Sequence, residues 1–253
     1  MKQEINPEDV VIVAPFGATT KAKSIYVWYN FIRNFYPKNQ IILSINSARK
    51  RDIVETHLIL SQKFKHDKNL TMWLDDKNAH EETTKKAFKV INDREYFERI
   101  CSSRNICLET AKKLNAPAVL WLDTDTIPLI KDPIERLLSH NVDIVSGLYM
   151  YKKTIVPVVI NPETKKNFTF EEMRPAVETN KLLEAYGFGF GCVLVRSDLF
   201  SYKFSHTADL GEDLHFCEQL RKDNIKLHFD PLVVCNHLTE EDAEKILNVE
   251  NEK

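Results

Sequence analysis

The chain has 253 residues, and its 35 Lys+Arg against 37 Asp+Glu give a formal net charge of −2. Near-neutrality excludes a nucleic-acid coat or a polybasic membrane binder, both of which draw affinity from many phosphate-neutralising cations. With 43% hydrophobic and 28% charged residues, it is neither disordered nor fibrous, and its length suits a single α/β domain.

In chain order, Val10–Ala14 reads as a buried strand closed by Pro15-Phe16-Gly17, and Lys23–Tyr36 as a helix. A strand at Gln40–Ile45, a helix at Arg49–Phe64 and a short strand at Leu70–Leu74 follow. A charged connection leads to a long helix, Glu95–Leu114, and then to the strand Ala118–Leu122. This alternation predicts a Rossmann-like, mostly parallel mixed sheet flanked by helices, although the first turn lacks GxGxxG.

After Asp125 the rhythm changes. A helix at Asp132–His140, strands at Val142–Val145 and Val156–Ile160, and a polar, loop-rich Asn161–Asn180 are expected. Gly191–Val195 reads as a strand, Glu212–Lys222 as a helix, and Lys226–Phe229 and Leu232–Cys235 as extended. Residues 1–238 form one domain in this reading, and 239–253 a charged C-terminal helix or tail. The charged runs Glu81–Lys86 and Glu240–Lys245 read as solvated helix faces, and Trp28, Trp73 and Trp121 as core.

Cys101, Cys107, Cys192, Cys217 and Cys235 contain no CxxC pair, which disfavours a disulfide scaffold or zinc ribbon and fits reduced thiols in the cytoplasm. No apolar run approaches the ~20 residues of a transmembrane segment. Glu4, Glu8 and Asp9 precede the first apolar run, the wrong sign for a signal peptide.

The chemistry concentrates at Asp123-Thr124-Asp125, which ends a buried strand. Ligands of open α/β sheets bind beyond the carboxyl ends of strands. If the backbone stays extended there, residues i and i+2 point the same way, and two carboxylates can face one hard cation, Mn²⁺ or Mg²⁺. The competing reading is an aspartate-rich turn. Only six glycines occur in the chain, and four fall at Gly187, Gly189, Gly191 and Gly211. Such sparing use marks places where a side chain is not tolerated.

The ordered set Arg104-Asn105, Asp123/Asp125, Gly187–Gly191, Glu212-Asp213 and His237 resembles the GT-A-fold nucleotide-sugar glycosyltransferases, particularly family 2-like members. The first half also looks like the fungal Anp1-type mannosyltransferases. The resemblance implies a GT-A domain and a hexosyltransferase that uses a nucleotide-sugar donor and a glycan, lipid or protein acceptor. It places a cation at Asp125, Asp123 near the ribose or the metal, and His237 as a further metal ligand.

Donor contacts are expected from Pro15, Phe16, Arg104, Asp123, Thr124, Asp125, Gly189 and Gly191. Arg104 would pair with the aspartates or the diphosphate. Phe188 or Phe190 would offer an apolar face to a pyranose, or else be core. Tyr149 and Tyr151 would line the acceptor side or simply pack. Asp213 would be the base of an inverting reaction, kept ionised by the helix dipole, with Glu212 contacting acceptor or donor sugar.

One departure concerns the nucleotide base. Many family 2 enzymes carry an aspartate after the second strand, where this chain has Ile45-Asn46-Ser47, so Asp75 or Asp76 would have to substitute. Two alternatives stand beside this reading. One is a non-catalytic nucleotide-sugar or glycan-binding protein. The other is a haloacid-dehalogenase-like phosphatase, whose D-x-D motif normally follows the first strand.

Overall fold

The computed structural model describes residues 4–18, 23–81 and 93–251. The strands β1 (Val11–Gly17), β2 (Ile41–Asn46), β3 (Leu70–Asp75) and β4 (Ala118–Leu122) are joined by the helices α1 (Ser24–Phe35), α2 (Lys50–Lys63) and α3 (Asp93–Lys113). Then come β5 (Thr126–Pro128), α4 (Pro133–Ser139), β6 (Ile144–Tyr149), β7 (Val159–Ile160), α5 (Phe170–Thr179), β8 (Leu183–Ala185) and β9 (Gly187–Phe188). β10 (Cys192–Arg196), α6 (Glu212–Lys222), β11 (Leu227–His237) and α7 (Glu240–Asn251) complete the chain.

Nine strands form the main sheet in the order β3-β2-β1-β4-β10-β6-β11-β5, with β8 also paired to β11. The β3-β2-β1-β4 half is wholly parallel. β10 runs antiparallel to both its neighbours, whereas β6 and β11 are parallel to each other. The continuous apolar runs of β1, β2, β4 and β10 follow from this topology, because helices or loops cover both faces and every residue of β2, β4 and β10 is buried. Strand order reverses beside β1, and a crevice opens there beyond the carboxyl ends of β1 and β4. Trp28 on α1 donates its indole N–H to the Leu122 carbonyl at 2.8 Å, which fixes the helix against the strand that ends in the aspartates.

Several expectations change. The polar stretch Asn161–Asn180 contains α5, started by a capping box in which Thr169 and Glu172 satisfy each other's backbone N–H, and anchored by buried Met173 and Ala176. The two extended pieces after α6 are one strand, β11, whose register shifts between Asp230 and Val234. Trp73 is 43% exposed because β3 is an edge strand with only one neighbour. α7 packs against α1, with Val27, Leu238 and Ala243 in one buried cluster, and Glu240 accepts from the Lys23 and Ser24 backbone N–H groups. Beyond Glu81, the first charged run lies outside the described residues.

The irregular part of β11 is held by Asp230, which accepts from Arg136 Nε at 2.7 Å, His140 Nε2 at 2.7 Å and the Leu232 N–H at 2.9 Å. Burial works to raise its pKa, but the bonds from His140 and Arg136 outweigh burial and hold the carboxyl below the usual range. A depressed carboxylate contributes stability above its unfolded pKa of ~3.9 and loses it as pH falls through the folded value. We therefore expect Asp230→Asn to cost about 3 kcal/mol at neutral pH, by taking the buried carboxylate away from the Arg136 guanidinium. The loss should shrink below about pH 4 in urea titrations; a loss independent of pH would contradict this assignment.

Candidate active site

A cleft of about 340 Å³ lies at the switch point, lined by Pro15, Gly17, Asn46, Tyr96, Ile100, Arg104, Asp123, Asp125, Lys152, Glu212, Asp213 and His237. Tyr96, Ile100 and Arg104 recur at i, i+4 and i+8 and form one stripe of α3. Pro15 and Gly17 end β1, the aspartates follow β4, and Glu212 and Asp213 open α6 behind Gly211.

Arg104 is the centre of the site. It is 2% exposed. Its Nη2 lies 3.3 Å from Asp213 Oδ1 and 3.6 Å from Asp123 Oδ1, and its Nε lies 3.6 Å from Glu212 Oε1. The guanidinium also sits 5.3–5.5 Å from the ring centroids of Trp121, Phe190 and Phe204. Burial opposes its charge, but Asp213, Asp123 and Glu212 together overcome that and raise its pKa above the ordinary arginine value. Asn105, its neighbour in sequence, has a different task. It exchanges two hydrogen bonds with the Phe204 backbone, at 2.8 and 2.9 Å, and so positions one of those rings.

The aspartate pair does not stay extended. β4 ends at Leu122, and the Thr126 N–H donates to the Asp123 carbonyl at 2.8 Å, so the chain turns. Asp123 faces Arg104, with its backbone N–H on the Gly191 carbonyl at 3.0 Å, while Asp125 points toward His237 and Lys152. Thr124 is wholly buried between them and does not line the cleft. Among the described residues no three His, Cys, Asp or Glu side chains converge on a metal position, so the expected trio of Asp123, Asp125 and His237 is not assembled.

The pair that does converge is Asp125 and His237. The imidazole Nδ1 lies 3.0 Å from the Met150 carbonyl, which only accepts, so Nδ1 carries the proton. The other ring nitrogen, Nε2, faces Asp125 Oδ2 at 3.4 Å. In this conformation the Lys152 ammonium also lies 2.6 Å from that oxygen. Asp125 and His237 are therefore close enough to hold a divalent ion between them.

The dipole argument for Asp213 fails here. Burial and the neighbouring Glu212 charge push its carboxyl well above the usual range; Arg104 and the Phe190 N–H, 3.1 Å from Oδ2, oppose them without reversing the direction. Asp123 Oδ1 and Asp213 Oδ1 are buried with no hydrogen-bond partner, as are Nε and Nη1 of Arg104. Buried polar atoms normally find partners, so several orphans converging on one cleft mark a ligand-binding surface.

The glycine-rich segment has a structural explanation. A Cβ at Gly189 would lie 1.9 Å from the Tyr149 hydroxyl oxygen, and one at Gly191 would lie 2.8 Å from Tyr149 Cζ. Tyr149 fills the space, accepts the Gly191 N–H at 3.2 Å and meets the His237 ring edge-on at 5.7 Å. Gly189 and Gly191 thus make room for a tyrosine. Phe16, Phe188 and Phe190 are core residues and offer no face to a sugar. Asp75 is held by the Ser102 and Ser103 hydroxyls at 2.9 and 2.8 Å and lies outside this cleft, whereas Asn46 lines it. Lys152, Tyr96 and Ile100 belong to no sequence motif; only the α3 stripe, counted back from Arg104, would have pointed to the last two.

Comparison with solved structures fixes the architecture. A mannosyltransferase from Pyrobaculum calidifontis, solved with GDP-Man and Mn²⁺, superposes with a TM-score of 0.51 at 15% identity, over 93% of this chain and 59% of that one. GalNAc-T7 with UDP, GalNAc and Mn²⁺ gives 0.56 at 12% identity, over 90% of this chain and 42% of that one. The chain has the GT-A fold. TarS of S. aureus gives 0.54 at 14% identity, over 95% and 38%. The chain thus spans between 38% and 59% of the length of these three structures. No family model and no curated protein sequence matches it. No helix among the described residues is long and apolar enough to cross a membrane.

Gly189→Ala is expected to destabilise the protein by about 1–3 kcal/mol through overpacking. Removing the clashing oxygen with Tyr149→Phe in the same chain should restore part of that loss in thermal unfolding; an additive or greater loss in the double variant would contradict the packing account.

Proposed function

We propose that this chain is a metal-dependent glycosyltransferase that moves a sugar from a nucleotide-diphosphate-sugar donor to an acceptor hydroxyl, with inversion and with Asp213 as the base. The observation that carries the reading is the charge of one cleft. Among the described residues, Asp123, Asp125, Glu212 and Asp213 line this cleft with Arg104 and Lys152 as its cations, beside His237, at the switch point of a GT-A sheet. A surplus of buried carboxylate calls for a further cation, and two of the solved structures that share the fold were determined with Mn²⁺ beside a nucleotide or nucleotide-sugar.

Asp125 and His237 would hold a Mn²⁺ or Mg²⁺ ion, and an imidazole ligand suits Mn²⁺ better. When bound, that ion supplies electrostatic stabilisation of the charge developing on the leaving diphosphate. Pro15, Gly17 and Asn46 form the end of the cleft that would receive the nucleoside. Asp123, fixed by the Gly191 carbonyl and with Oδ1 facing Arg104, would offer its other carboxylate oxygen to donor hydroxyls. The acceptor oxygen attacks the anomeric carbon from the face opposite the diphosphate, the bond to the diphosphate breaks, and Asp213 takes the acceptor proton. Its raised pKa makes it a stronger base than an exposed aspartate, and Arg104 beside it limits the rise. The acceptor is a glycan, lipid or protein hydroxyl. The five free, buried thiols fit the reducing cytoplasm. A dehalogenase-like phosphatase is disfavoured because Asp123 follows the fourth strand.

Screening nucleotide-sugars with Mn²⁺ for release of nucleoside diphosphate tests the reading, and a protein that binds donor without ever releasing product would support the binding-protein alternative. Asp213→Asn should keep nucleoside-diphosphate binding, seen as thermal stabilisation, while transfer falls by roughly 100- to 10,000-fold. Activity of the native chain should disappear on the acid side at a pH above the ordinary carboxylate range of ~4, as the raised Asp213 carboxyl becomes protonated. An acid limb at ~4 would count against Asp213 as the base.

A further inference from the structure

Among the described residues, the cleft holds two cations with very different freedom. Arg104 is buried, faces three carboxylates and lies against three aromatic rings, so it cannot follow a ligand. Lys152 is 41% exposed at its side chain and reaches into the cleft from a turn. That turn is firmly based. The Tyr151 N–H donates to the Val156 carbonyl at 3.0 Å, the Thr154 N–H to the Tyr151 carbonyl at 3.1 Å, and Met150 bridges Pro157. The mobile element is therefore the four-carbon lysine side chain, whose ammonium rests 2.6 Å from the buried Asp125 carboxylate.

We propose that Lys152 is an exchangeable counter-ion of the donor site. It neutralises Asp125 in the conformation described. It yields that carboxylate to a divalent cation and carries its own charge onto the diphosphate of the donor. Two observations force the exchange. The ammonium rests on Asp125 Oδ2, the same oxygen that faces His237 Nε2, and an ammonium and a divalent cation on one carboxylate oxygen repel each other. Release leaves an uncommitted positive charge at the mouth of a cleft whose buried guanidinium is fixed, and the anionic diphosphate of the donor is the group that would attract it. The exchange also gives cation and nucleotide a reason to bind together, since each compensates the movement that the other requires. This inference rests on the glycosyltransferase reading and assigns to it a positioning residue that no sequence motif contains.

The test uses the full chain, with Mn²⁺ alone and then GDP and UDP at saturating Mn²⁺ as probes. Free Mn²⁺ is followed by electron paramagnetic resonance and nucleotide binding by calorimetry. Lys152→Met should bind Mn²⁺ alone at least tenfold tighter than the native chain, because the competing ammonium is gone. It should bind the nucleoside diphosphate that the native chain prefers at least tenfold more weakly, and Lys152→Arg should return both constants toward native. Both shifts are required, and the absence of either overturns the proposal. Unchanged unfolding midpoints confirm that the substitutions act locally. Asp125→Asn separates the two levels of inference. If it abolishes Mn²⁺ binding while Lys152→Met changes nothing, the metal site stands and the exchange falls. If the native chain binds neither Mn²⁺ nor either nucleotide, both fall.

Discussion

One buried guanidinium organises this molecule. Arg104 brings a positive charge from the middle of α3 into the space between β4 and α6, and three carboxylates and three aromatic rings converge on it. Removing such a charge from water is costly unless its surroundings replace hydration, and here three acids do so. The same contacts set the directions of Asp123 and Asp213. The positioning of the proposed base and of one donor contact therefore depends on a residue fully enclosed by the fold.

A second layer supports that centre without touching a ligand. Asn105 ties down Phe204, Tyr149 occupies the room left by Gly189 and Gly191, and the Gly191 carbonyl receives the Asp123 N–H. Trp28 fixes α1 to the last residue of β4, and α7 closes over α1 with Glu240 at its start. Charge then divides the cleft. On one side Arg104 and its acids form an immobile group; on the other Asp125, His237 and Lys152 form a looser one around the proposed cation position. A transferase needs both properties, rigid placement where bonds are rearranged and exchange where a charged product departs.

Much of this was legible in the residues. The apolar runs Val10–Ala14, Gln40–Ile45 and Ala118–Leu122 announced a parallel half-sheet, since only strands covered on both faces are apolar at every position. Arg104, Asp123, Asp125, Glu212, Asp213 and His237 could be named in advance, and all of them line one cleft. The roles shifted where local conformation intervened. A turn after Leu122 separated the two aspartates, and burial overrode the helix dipole at Asp213. Gly189 and Gly191, marked as places without room for a side chain, face Tyr149, while Gly187 faces Leu214 and Gly211 faces Phe97.

The sequence by itself determined the order of elements and the inventory of charged groups, because strand burial and helix periodicity are encoded between near neighbours. It also determined that the acids follow the fourth strand of the sheet. Only the tertiary structure decided which acid meets which cation. Arg104 lies 19 residues before Asp123 and 109 before Asp213, and Lys152 lies 27 after Asp125, separations across which no periodicity operates. Pairings at that range are set by how the sheet curls and where a turn redirects one carboxylate, and an ion pair acts through distance in space, not distance along the chain.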